Sequence, residues 1–166
     1  MKIHIVGGSG SGKTYIAKHI GEQFAVPVYD LDDVSWEGES FEIKVPKTIR
    51  EQNLKEITSM DSWIIEGAYI DDWVHSSFLR ADKIFILTPP LSLQETRIWD
   101  RYKQQVSGIE PSKRKSTEES IWELIEWNIT FNKNEIHQFI RENRYKNKTI
   151  IVQDNLEIIK YMKLGN

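Results

Sequence analysis

The sequence predicts an α/β fold in which a five-stranded parallel sheet carries helices on both faces. Three observations lead there. Apolar runs of strand length recur at residues 2–6, 26–29, 63–65, 84–87 and 149–152, each separated from the next by a longer stretch able to form a helix, which is the rhythm of repeated βαβ units. The runs are continuously apolar rather than alternating, as strands covered on both faces require. The first run also passes through a cluster of glycines into a helix-capable segment, a strand–turn–helix junction of the kind that binds ligands in open α/β sheets.

The totals set bounds. The 166 residues suit a single domain spanning 1–166, long enough to bury about two-thirds of its unfolded surface without metals or disulfides. With no cysteine, a disulfide framework, a thiolate zinc site, an iron–sulfur cluster and a cysteine nucleophile are all excluded. The formal charge is −3 and the isoelectric point about 5.8, far below the ~9 of a dedicated nucleic-acid-binding domain, so direct binding to nucleic acid is disfavoured. No apolar stretch approaches the ~20 residues that span a bilayer, and the chain reads as soluble and cytoplasmic.

The elements follow in order. After the first run, Gly7-Gly8-Ser9-Gly10-Ser11-Gly12-Lys13-Thr14 satisfies G-x-x-x-x-G-K-[ST]. Glycines let the backbone curl so that successive N–H groups point into one concavity, and the following helix N-terminus adds partial positive charge. The expected phosphate cradle is therefore Gly8, Ser9, Gly10, Ser11, Gly12, Lys13 and Thr14, with Lys13 reaching the β- and γ-phosphates of ATP and the Thr14 hydroxyl holding Mg²⁺.

The second run ends in Tyr29-Asp30-Leu31-Asp32-Asp33, which puts carboxylates at the carboxyl edge of the sheet, where such folds bind ligands. Asp30 also fits a turn or cap. Asp32 is expected to orient an acceptor, with Asp33 beside it and Trp36 walling the pocket. A helix follows Pro46, whose ring suits a first turn, with Ile49 and Ile57 turned inward. The third run closes on Glu66-Gly67, an acid in the position of a Walker-B carboxylate, supporting metal and acceptor, and a glycine permitting close approach.

Beyond the fourth run, a helix starts after Pro90 with Leu91, Ile98 and Tyr102 along one face. Arg97 and Arg101, four residues apart, share another face, where paired guanidiniums stack on a base and fork onto phosphate oxygens. Residues 106–116 are polar and basic, contain Gly108 and Pro111, and are predicted to form a mobile loop; Lys113, Arg114 and Lys115 within it read as a solvated cluster. Ile121, Ile125, Ile129, Ile136 and Ile140 recur at intervals of four or seven behind Thr117, which predicts one long capped helix over 118–143. The four histidines are scattered without metal-ligand spacing and are expected to be structural.

In this order, IVGGSGSGKT, YDLDDVSW, WIIEGAY, LRADKIFIL and RIWDR resemble the adenylate-kinase-like P-loop NTPase fold, and within it the DNA topology modulation protein family. The resemblance runs over nearly the whole chain. It implies strand order 2-3-1-4-5, an acceptor region between the second and third strands, and a small lid at about 106–116. It matches Arg97 to the arginine near the ATP base, Arg101 to the one reaching the phosphates, Asp32 and Asp33 to the acceptor-site acids, Glu66 to the acid before the glycine, and Arg80 to the arginine before the Ala-Asp pair. Two departures stand out. Ala68-Tyr69-Ile70 replaces the Phe-Pro-Arg that follows the third-strand glycine in adenylate kinases, and no pair of arginines returns after the lid, which argues against a nucleoside monophosphate acceptor.

The expectation is an ATP- and Mg²⁺-dependent phosphotransferase acting on a small acceptor. Lys13, Asp32, Arg97 and Arg101 would be catalytic, Asp32, Asp33, Trp36, Glu66, Gly67 and Arg80 acceptor-facing, and Thr14 with Glu66 metal-holding. The alternative is a nucleotide-dependent regulatory ATPase that affects DNA topology.

Overall fold

The computed structural model describes residues 1–38, 43–109, 116–142 and 144–162. Five parallel strands, β1 (Lys2–Gly7), β2 (Val28–Asp30), β3 (Trp63–Gly67), β4 (Lys83–Leu87) and β5 (Thr149–Val152), form one sheet. Its order is β2-β3-β1-β4-β5, the order implied by the resemblance. Between them run α1 (Lys13–Phe24), α2 (Leu31–Ser35), α3 (Lys47–Ser59), α4 (His75–Arg80), α5 (Leu91–Val106), α6 (Glu118–Thr130) and α7 (His137–Glu142), with α8 (Ile158–Met162) closing the described chain.

Strand side chains alternate between two cores. Ile3, Ile5, Ile64, Phe85 and Leu87 pack on one face with α1 and α8. Val6, Trp63, Ile65, Ile84 and Ile86 pack on the other with α2, α3, α4 and the aromatic and aliphatic residues after α6. Ile5, Ile64, Ile65 and Phe85 lose all contact with solvent, each contributing about 1.5–3 kcal/mol of transfer free energy. A third cluster, Ile98, Ile121 and Ile125, joins α5 to α6.

Thr117 caps α6 as expected. Its hydroxyl accepts from the Ser120 amide at 3.2 Å while the Ser120 hydroxyl accepts from the Thr117 amide at 2.9 Å, a reciprocal capping box. The helix over 118–143 is not uniform, however. A π turn over Phe131–Ile136 divides it, and Asn143 lies outside the described residues. The wider turn shifts the phase of the inward face, so that Phe131, Asn132 and Ile136 are buried while Ile129 is only half-buried.

Helix α3 also departs from expectation. Ile49 is 47 % exposed, and Arg50, Leu54, Ile57 and Thr58 face inward. The inward stripe is the i, i+4, i+7, i+8 set, with an arginine at its head. A short antiparallel hairpin unanticipated in the sequence pairs Trp36–Glu37 with Ile43–Lys44. The lid expected over 106–116 falls largely outside the described residues, as do Lys113, Arg114 and Lys115. Among the described residues no helix is long and apolar enough to cross a membrane.

Candidate active site

The parallel register brings the carboxyl ends of three strands side by side. Asp30 pairs with Glu66, Ile5 with Glu66, and Val6 with Gly67, so the two acids stand directly beside the point where β1 turns into the glycine-rich loop. Gly10 (φ 73°) and Gly12 (φ 89°) both take left-handed backbone, which favours glycine and bends the loop onto the start of α1. No side chain caps α1, which leaves its first-turn amides directed at the loop. Lys13 folds back so that its Nζ donates to the Gly8 carbonyl at 3.3 Å.

Both arginines predicted on α5 reach this loop. Arg97 Nη1 donates to the Gly10 carbonyl at 3.1 Å, and Arg101 Nη2 to Ser9 Oγ at 3.2 Å. From beyond β5, Asn155 Nδ2 donates to the Gly12 carbonyl at 3.0 Å. The Ser11 hydroxyl is buried without a partner among the described residues.

Glu66 is 1 % exposed and accepts from the Thr14 hydroxyl at 2.6 Å, while its second oxygen is buried with no partner among the described residues. Burial pushes its carboxyl up to about 7, against the pull of the Lys13 ammonium and the Thr14 hydrogen bond and with the push of Asp30 and Asp32. Asp30 caps α2 by accepting from the Asp32 amide at 2.8 Å, and burial raises its carboxyl above the ordinary value in spite of that bond. The residues fit a magnesium ion that arrives with a nucleotide. Thr14 and Glu66 supply hard oxygen donors, one of them unsatisfied, whereas the described residues contain no all-protein cluster of three or more metal-ligating side chains, and Mg²⁺ characteristically completes its shell with water and phosphate.

Beyond the end of β2, Trp36 Nε1 donates to the Tyr69 hydroxyl at 3.0 Å, and that hydroxyl donates to Asp32 Oδ1 at 2.7 Å. Burial, and then the Asp32 charge, push the Tyr69 phenol above its ordinary value, so it remains a donor. The Tyr69 ring meets Trp73 edge-on at 5.3 Å, and the Arg50 guanidinium lies over the Trp73 ring at 4.8 Å. Arg50 is 8 % exposed, its Nε is buried without a partner, and no carboxylate pairs with it among the described residues.

The structure therefore brings together Gly8 through Thr14, Asp32, Trp36, Glu66, Arg97 and Arg101. It does not bring Arg80. That residue ends α4 at the amino edge of the sheet, where its Nη1 donates to the Thr58 carbonyl at 3.3 Å, a whole strand (about 16 Å) from the carboxyl edge. Asp33 is exposed on α2 and lines a separate cavity of about 340 Å³ with Asp30, Asn53 and Glu56. Gly67 admits Leu31, whose Cβ would lie 2.8 Å from any side chain added there. A cavity of about 610 Å³ lined by Asp71, Asp72, His75, Glu135 and Tyr145 contains none of the predicted site residues.

Sequence reasoning missed Tyr69, Arg50 and a set of amides, Gln94, Asn128 and Asn132. For Arg50 a signal existed in its place at the head of the inward stripe of α3. His4 is structural as expected, with Nδ1 hydrogen-bonded to Ser77 Oγ at 2.8 Å and the imidazole held neutral by burial, which lowers it to about 3.

No protein-family model matches the sequence, and no curated protein matches it. Solved structures do. The chain is similar to a shikimate kinase from Bacteroides thetaiotaomicron (16% identity, TM-score 0.62, 99% of both chains). It is also similar to a deoxyadenosine kinase from M. mycoides with bound dATP (17%, 0.59, 98% of this chain and 97% of that), and to a gluconokinase from Sinorhizobium meliloti 1021 (16%, 0.53, 96% and 87%). At these identities the likeness shows the fold, that of the P-loop kinases. It does not extend to the DNA topology modulation family that the motifs resemble.

Proposed function

We propose that the protein is an ATP-dependent phosphotransferase that moves the γ-phosphoryl group of ATP onto a hydroxyl of a small, anionic acceptor. The observation that carries this reading is the half-buried Trp36–Tyr69–Asp32 hydrogen-bonded chain standing at the same sheet edge as the phosphate loop and its two arginines. A loop that only sensed nucleotide would need no such second site.

Lys13 leaves the Gly8 carbonyl for the β- and γ-phosphates, and the loop amides hold the phosphate oxygens. Arg97 and Arg101, already against Gly10 and Ser9, neutralise charge as it develops on the transferring group. Thr14 and Glu66 would hold Mg²⁺, which neutralises phosphate charge when bound. Asp32, oriented by Tyr69, accepts the proton of the acceptor hydroxyl as its oxygen bonds to phosphorus and ADP departs. Arg50 supports an anionic acceptor, because a guanidinium buried without a counter-charge is costly and a carboxylate or phosphate would offset that cost.

The test is ATP consumption with and without a panel of small hydroxylated acids and sugar phosphates, for the unmodified protein and Asp32→Asn. Acceptor-dependent turnover, lost by at least about 100-fold in the variant while ATP affinity is retained, supports the assignment. Turnover that no acceptor stimulates would favour a regulatory ATPase instead.

A further inference from the structure

Three carboxamides lie buried against the phosphate loop and hydrogen-bond to one another. Gln94 is fully buried on α5, Asn128 (3 % exposed) stands on α6, and Asn132 (9 %) is the second residue of the π turn. Gln94 Nε2 donates to the Pro89 carbonyl at 2.9 Å and to Asn132 Oδ1 at 3.3 Å. Its Oε1 accepts from Asn128 Nδ2 at 3.0 Å and Asn132 Nδ2 at 3.2 Å. Asn132 Nδ2 also donates to the Asn128 main-chain carbonyl at 2.7 Å. The amides satisfy each other, as buried polar groups must, and each depends on the others staying in place.

What they press on is the loop. A Cβ on Gly8 would lie 2.2 Å from Asn128 Oδ1, 2.6 Å from Asn132 Nδ2 and 3.0 Å from Gln94 Oε1, and one on Gly10 would lie 2.4 Å from the Gln94 carbonyl. Gln94, Arg97 and Arg101 share one face of α5 at i, i+3 and i+7, so the same helix wedges the loop from below with an amide and grips it with two guanidiniums. An apolar core would have covered Gly8 with less specificity of placement, since interlocked amides have one satisfied arrangement.

We propose that Gln94, Asn128 and Asn132 are positioning residues for phosphate binding. They fix the course of the loop at Gly8 and tie it to α6, so that nucleotide affinity depends on the α5–α6 pair. The proposal rests on the phosphate-loop reading above, and the experiment separates the two.

The experiment is a double-mutant cycle of Gly8→Ala and Asn128→Ala, with ATP and adenosine affinities measured by calorimetry and folding checked by thermal melting. Gly8→Ala should weaken ATP binding by about 10- to 100-fold, the range that overpacking strain represents when expressed in affinity. Asn128→Ala alone should weaken it several-fold. In the double variant the loss of ATP affinity should be smaller than the sum of the two single losses, because the nearest clashing atom, Asn128 Oδ1, is gone while Asn132 Nδ2 remains at 2.6 Å, and throughout the cycle the ratio of ATP to adenosine affinity should move while adenosine affinity holds. A purely structural role would lower melting temperatures without moving that ratio. Additive losses in the double variant, or a Gly8→Ala protein with unaltered ATP affinity, would overturn the wedge alone. Failure of the unmodified protein to bind ATP would overturn both the wedge and the phosphate-loop reading.

Discussion

The buried carboxyl of Glu66 makes the stability of the nucleotide-free protein depend on pH in a way that one substitution should remove. Unfolded, the group ionises near its ordinary value of 4.5; folded, burial moves it to about 7. Between those values the folded chain holds a proton that the unfolded chain has released. Its contribution is therefore fully present below about 4.5 and is lost as the pH rises through 7. At 1.36 kcal/mol per tenfold, the gap amounts to about 3 kcal/mol. Glu66→Gln keeps the oxygen that accepts from Thr14 and cannot ionise. In metal-free buffer the variant should match the parent at about pH 4 and exceed it by about 3 kcal/mol at pH 8.5. For a chain of this size that corresponds to about 6–12 °C in melting temperature. Denaturant unfolding and thermal melting at several pH values read the difference, and profiles that run parallel from pH 5 to 8.5 would refute the reasoning.

Three further outcomes are expected. Tyr69→Phe removes the hydroxyl between Trp36 and Asp32, so kcat should fall by about tenfold or more with ATP affinity unchanged, as steady-state kinetics against measured ATP binding will show. Phe85→Ala, in the fully buried core beside α1 and α8, should cost about 3–5 kcal/mol in urea unfolding. Ala25 ends α1 in left-handed backbone (φ 53°), so Ala25→Gly should raise stability by about 0.5 kcal/mol, the left-handed penalty less the added freedom of the unfolded chain, visible as a small increase in melting temperature.

The sheet was legible because parallel strands buried on both faces leave unbroken apolar runs, and the loop because its function requires glycine, lysine and threonine at set spacings. The same logic reached Arg97 and Arg101, whose four-residue separation places them together on a helix. Arg80 was misplaced because a matched motif was weighed above position: a residue three ahead of a parallel strand stands at its amino edge, away from the carboxyl edge where ligands bind. Ile49 was misread because hydrophobicity alone chose it over Arg50, whose burial over Trp73 is a tertiary fact. Nor could spacing reveal the π turn, since its signature is a pair of adjacent buried residues, Phe131 and Asn132, on what otherwise scans as a continuous helix. The amide wedge was invisible for a related reason: asparagine and glutamine on a helix read as solvent-facing until a partner backbone without a Cβ is placed against them.

The ends of the sheet also have a consequence for how the molecule keeps to itself. The outermost strands are β2, three residues long and preceded by Pro27, and β5, four residues long. Each open flank offers only a brief row of unpaired amides and carbonyls, one interrupted at its start by a residue with no N–H to give. Such short rims are poor templates for strand addition, so their brevity discourages unwanted growth of the sheet from one molecule into the next.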